Sequence, residues 1–103
     1  KKLVSARAIS QKASLAAGLL FSECEGILPA PESAYAIAAA LEDITSNPKA
    51  SNKILINISG HGLYDLCSYE EYKNNQLSDD IPSETMLRES LSQLKQKDFS
   101  SAF

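Results

Sequence analysis

The chain has 103 residues, enough for one small domain and no more. Hydrophobic residues make up 44% of it, a folding composition, and the formal net charge of -3 leaves no basic excess to hold phosphate backbones. Nucleic-acid binding and membrane insertion are therefore not expected. No apolar run approaches the ~20 residues of a spanning helix, and Ser5, Arg7, Gln11 and Lys12 break up the start of the chain too early for a signal peptide. Cys24 and Cys67 have no metal-ligand spacing and only His61 to join them, so no metal site is expected. They read as reduced thiols, and a cytoplasmic location follows.

In chain order, residues 5–24 place Ala6, Ile9, Ala13, Ala16, Leu19 and Leu20 at helical spacing. The many alanines suggest close approach to a neighbour. Gly26 stops this helix, and Pro29 and Pro31 stiffen a loop over residues 25–31. A second helix is predicted over 32–46, with Glu32 at the positive end of its dipole and Ala34, Ile37, Ala38 and Leu41 on its buried face. Residues 53–58 read as a strand: Ile54, Leu55, Ile56 and Ile58 are apolar on both faces, as in a parallel strand covered by helices. A two-glycine turn follows at 59–62, then a helix over 64–73. A polar linker, 74–82, leads to a last helix over 83–97 with Ser83 as its N-cap and Leu87, Leu91 and Leu94 on one stripe. The tail is 98–103.

The fold class predicted is therefore α/β: a mostly helical chain with one central parallel-type strand. A lone strand cannot satisfy its own N–H and C=O groups. With no second strand in the sequence, the chain reads as part of a larger domain, or it pairs with another chain, or the segment is not a strand here; the first reading is favoured.

Two segments carry candidate chemistry. Strand, Ser59-Gly60-His61-Gly62, helix is a layout that binds ligands beyond the carboxyl ends of strands, although a plain turn has the same appearance. Ser59 could meet a ligand or cap a helix. Glu25–Ser33 is a rigid loop with a carboxylate near each end, or simply a connector. His61 could serve as a general base, but no nucleophile pairs with it, and a structural turn histidine is the alternative. The carboxylate pairs Glu70/Glu71 and Asp79/Asp80 read as solvated faces. Tyr64, Tyr69 and Tyr72 read as half-buried packing.

E-G-I-L-P-A-P-E-S-A-Y-A-I, at residues 25–37, and I-L-I-N-I-S-G-H-G-L-Y-D, at 54–65, resemble the C-terminal region of the tryptophan synthase β family, and most of all its stand-alone second type. The two segments keep the family's order and spacing, and the resemblance covers roughly residues 5–73. It implies a fold type II pyridoxal-phosphate enzyme with an αβα domain, of which residues 1–103 would be the C-terminal part. It implies replacement of the β-hydroxyl of L-serine by indole to give L-tryptophan. Ser59 would face the cofactor's pyridine nitrogen, Gly60 would let the backbone pass near the ring, and Glu25 would line the other side. A neutral hydroxyl partner suits β-replacement better than transamination. Tyr35 stands where the family usually has His, and His61-Gly62-Leu63 where commoner members have Arg-Gly-Asp. No lysine here sits in the family's Schiff-base context, so no catalytic residue is assigned to this chain and no activity is expected of it alone. The partners implied are the rest of the β-chain fold, a second β copy as a homodimer, and an α chain. The alternatives are another fold type II enzyme, threonine or cysteine synthase-like, and a non-catalytic oligomerisation domain.

Overall fold

Four helices form the framework of the computed structural model, which describes residues 3–49, 51, 53–79 and 82–95. They are α1 (Gln11–Glu25), α2 (Pro31–Ser46), α3 (Leu66–Lys73) and α4 (Glu84–Lys95), with one 3-10 turn at Gly62–Asp65 ahead of α3. α1 starts later than its periodicity suggests because Ser10 caps it: the Ser10 hydroxyl accepts from the Ala13 N–H at 3.2 Å. It ends at Gly26, whose φ of 70° places it in the left-handed region. α2 opens on Pro31, whose missing N–H costs nothing in a first turn.

α1 and α2 pack against each other through small side chains. Ser14, Leu15, Ala17 and Gly18 are buried on α1, and Ser33, Ala34, Ile37, Ala38 and Ala40 on α2. The buried stripe of α1 is thus not the one its alanines suggest. Ala13, Ala16 and Leu20 instead line an open groove of about 560 Å³ between the two helices. Small residues face α2 because α3 must also reach α1: Tyr69 lies against Gly18, where an added Cβ would come within 3.1 Å of Tyr69 Cε1 and Cζ. Ile9, Ile56 and Ile58 pack on the Ala17, Ile37 and Ala38 cluster. Arg7 reaches Asp43 at 2.7 Å and the Ala39 carbonyl at 3.1 Å, tying the segment before α1 to α2.

The α/β class and its central strand are corrected here. Among the described residues there is no strand and no sheet; the β-type pairing found is an isolated antiparallel bridge between Pro29 and His61. Residues 53–58 carry no regular secondary structure. Ile56 and Ile58 turn toward the helices while Leu55 is 99% exposed, so one face of the segment is covered and the other is bare. Apolar character on both faces is the signal for a strand, but a strand needs backbone partners, and no segment among the described residues offers them.

The remaining elements begin where side chains cap them. The His61 Nδ1 accepts from the Leu63 N–H at 3.3 Å, which starts the 3-10 turn two residues before the expected helix. Ser83 caps α4, its hydroxyl accepting from the Met86 N–H at 3.3 Å. Met86, Leu87 and Leu91 are exposed on α4. The final part of the predicted 83–97 helix, the tail 98–103, Asp80 and Ile81 lie outside the described residues.

Gly62 is closed in by backbone. A Cβ there would lie 2.7 Å from the Pro29 carbonyl oxygen and 2.8 Å from Leu28 Cγ. Gly62→Ala is expected to lower stability by about 1–3 kcal/mol, because backbone must move to admit the methyl group. Urea unfolding followed by helical circular dichroism measures it.

Candidate functional site

The loop between α1 and α2 is rich in acceptors and poor in donors. Pro29 and Pro31 have no N–H, yet every carbonyl from Leu28 to Pro31 has a partner. Gly62 N–H donates to Leu28 at 2.8 Å, and Ala30 accepts from Ser33 N–H at 3.0 Å and Ala34 N–H at 3.1 Å. The Tyr69 hydroxyl donates to Pro29 at 2.7 Å, and the Ser14 hydroxyl donates to Pro31 at 2.9 Å. The proline loop and the glycine turn, separate in sequence, are thereby brought into one unit.

Ser33 makes the second link. Its hydroxyl donates to the Ser59 carbonyl at 2.9 Å and accepts from the Ser59 N–H at 3.1 Å. The side chain of Ser59 is exposed and has no hydrogen-bond partner among the described residues. Gly60 follows at a φ of 74°, and a Cβ there would meet Ala30 Cβ at 3.7 Å, ordinary contact. Glycine is needed at this point for backbone conformation, not for space against the loop.

Glu25 ends α1 and is exposed. It borders a cavity of about 190 Å³ with Phe21, Cys24 and Ile37. No hydrogen bond or ion pair among the described residues joins it to Ser59 or Gly60. Ser59 and Gly60 are thus brought to the proline loop, and Glu25 sits at that loop's near end.

His61 is exposed and stacks on Tyr64, with ring centroids 5.6 Å apart. Its Nδ1 is committed to the Leu63 N–H, so it acts as a cap. Cys24 and Cys67 are exposed free thiols. Among the described residues no group of three or more His, Cys, Asp or Glu could hold a metal ion, and no helix is long and apolar enough to cross a membrane.

The sequence reading missed Ser14, Ser33 and Tyr69 as organisers. A signal was present for the serines: Ser14 shares a helix face with Ala17 and Gly18, and Ser33 with Ile37. A hydroxyl on a buried stripe requires a partner. The three tyrosines were grouped, but only Tyr69 is buried, at 3% exposure, while Tyr64 is 91% exposed.

The chain is 42% identical over 84 residues to tryptophan synthase β chain 2 of Aeropyrum pernix, a match covering 80% of this chain and 19% of that protein. It is 49% identical over 70 residues to the tryptophan synthase β chain of Thermosipho africanus, covering 65% and 16%. It is 46% identical over 70 residues to tryptophan synthase β chain 2 of Pyrococcus furiosus, covering 66% and 16%. The chain is homologous to one part of the tryptophan synthase β chain. It spans less than a fifth of the length of these relatives. No family model matches it, and no solved structure does.

Burial holds the Tyr69 hydroxyl above its ordinary value of 10.0, and the nearby charges of Asp65 and Glu32 push the same way. A raised value in the folded chain means the protonated form is favoured by folding. That stabilisation is complete below pH 10.0 and is lost as pH rises through the higher folded value. Unfolding midpoints should therefore fall in strongly alkaline solution. Tyr69→Phe should remove this alkaline loss and cost about 1–2 kcal/mol at neutral pH, since the Pro29 carbonyl loses its donor. Urea titrations of both proteins across the alkaline range compare them.

Proposed function

We propose that this chain forms the pyridine-side wall of a pyridoxal-phosphate enzyme that makes L-tryptophan from L-serine and indole. The observation that supports this best is the similarity to tryptophan synthase β chains, running from 40% to 49% identity over the matched stretches. The remainder of a β chain would bring the cofactor-bearing lysine, the phosphate-binding loop and the indole pocket. The partners proposed are that remainder first, then a second β copy and an α chain, in the cytoplasm.

The residues present fit an aromatic ring nitrogen. Ser59 offers an exposed hydroxyl that no group among the described residues occupies, on a backbone held by buried Ser33. Gly60 adds no side chain that would keep a ring away. Glu25, at the end of α1, would line the opposite side. Bound pyridoxal phosphate would supply the electron-withdrawing ring for exchanging the serine hydroxyl for indole. The part of this chain is to hold that ring by its nitrogen without charging it: a neutral serine hydroxyl donates a hydrogen bond where a carboxylate would draw a proton onto the nitrogen.

The chain alone is expected to form no tryptophan from serine and indole with added pyridoxal phosphate. A chimera tests the reading: this chain replaces the matching stretch of the Thermosipho africanus β chain. It should form tryptophan, and Ser59→Ala within it should slow turnover by about tenfold, the worth of one hydrogen bond to the ring. A folded, cofactor-loaded chimera indifferent to Ser59→Ala would end the reading.

A further inference from the structure

Ser33 is 5% exposed and sits in the first turn of α2. A serine there commonly serves its own helix, but this hydroxyl bonds to a residue 26 positions away. A hydroxyl has one proton and two lone pairs. The proton goes to the Ser59 carbonyl and one lone pair takes the Ser59 N–H. These two bonds grip the peptide planes on either side of the Ser59 Cα. What remains free is rotation about the Cα–Cβ bond, which has three staggered wells. The burial of Ser33 partly shields both bonds from competing water, and α2, packed on α1, holds Ser33 itself in place.

We infer that Ser33 is the positioning residue of the Ser59 site, aiming the Ser59 hydroxyl at the ring nitrogen of a phosphorylated pyridine. The inference rests on the proposal that Ser59 meets such a ring. Ser33 touches no ligand; it removes the backbone freedom that would otherwise let the Ser59 side chain swing away. Without it, residues 59 and 60 lose their tie to α2, and the positive φ of Gly60 has no fixed neighbour on its N-terminal side. The free hydroxyl at position 59 and the doubly committed one at position 33 then have distinct duties.

The test uses this chain within the chimera described above, isotope-labelled in the stretch it supplies, and pyridoxine 5′-phosphate, which has the ring and phosphate but no aldehyde to react with lysines. Amide resonances of Ser59 and Gly60 are followed through the titration, and hydrogen exchange at the same amides is measured without ligand. The unmodified chain should show saturable shifts at Ser59 and Gly60. Ser33→Ala should exchange about tenfold faster at Ser59 and bind about fivefold more weakly, with α1 and α2 amides unchanged. Ser33→Thr, which keeps the hydroxyl, should restore both. Ser33→Cys, which fills the same space with a poor donor, should behave as Ser33→Ala and serves if the alanine variant does not fold. Ser59→Ala should weaken binding yet leave exchange at residue 59 slow. Unchanged affinity in Ser33→Ala despite faster exchange, or faster exchange spread through both helices, overturns the positioning role. No shift at Ser59 in the unmodified chain overturns the reading of Ser59 itself, and the inference with it.

Discussion

The structure depends on how a donor-poor loop is satisfied. Residues 28–31 present four carbonyls while two of their four N–H groups are missing. A loop of this kind between packed helices would bury acceptors at a cost of roughly 1–3 kcal/mol each if they were left bare. Here the donors come from three places: the first turn of α2, the glycine turn and two buried hydroxyls. Supplying them forces Gly62 against Pro29 and Tyr69 against Gly18. The same requirement explains both glycines, because each lies where a donor-bearing group has to approach closely.

Once the loop is satisfied, the placement of the Ser59-Gly60 turn follows. The Gly62 N–H fixes the turn at one end and Ser33 fixes it at the other. Neither contact involves a formal charge. The ion pairs of Arg7 lie instead on exposed α2 residues, where water and salt screen them. Specific geometry at the site is thus carried by hydrogen bonds between neutral groups, those of Ser33 part-buried, whose strength changes little with ionic strength.

Local signals in the sequence located the helices well. Gly26, Pro31, Ser83 and the spacing of Ala34, Ile37 and Ala38 each act over a few residues, and each has a physical counterpart in the structure. Two features depended on long-range partners and were not legible. The 53–58 segment has the composition of a strand, but strand formation is decided by backbone partners elsewhere, and composition cannot supply them. The buried face of α1 was not legible because alanine is ambiguous: it suits a tight interface, a groove wall or open surface. Ser14 and Gly18 decide which face α2 and Tyr69 take. The proposed site was legible as two segments, whereas the residue linking them, Ser33, was visible only as one letter of a longer pattern.

The neutrality of this network bears on the proposed chemistry. A ring nitrogen held by a carboxylate tends to take up a proton, and the ring then draws electrons strongly enough to favour many competing reactions. A hydroxyl at position 59 avoids that only if no charged group replaces it when the turn shifts. The double grip of Ser33 holds the backbone that carries the hydroxyl. Serine and threonine hydroxyls do not ionise in the physiological range, so a site positioned by them keeps its shape while nearby carboxylates and imidazoles change charge. The first hydroxyl in the network to ionise is Tyr69, whose burial and acidic neighbours delay that step past the ordinary tyrosine range. On the proposed reading, the residues of this chain would hold a neutral contact steady, and the proton transfers of a β-replacement would fall to groups elsewhere in the enzyme.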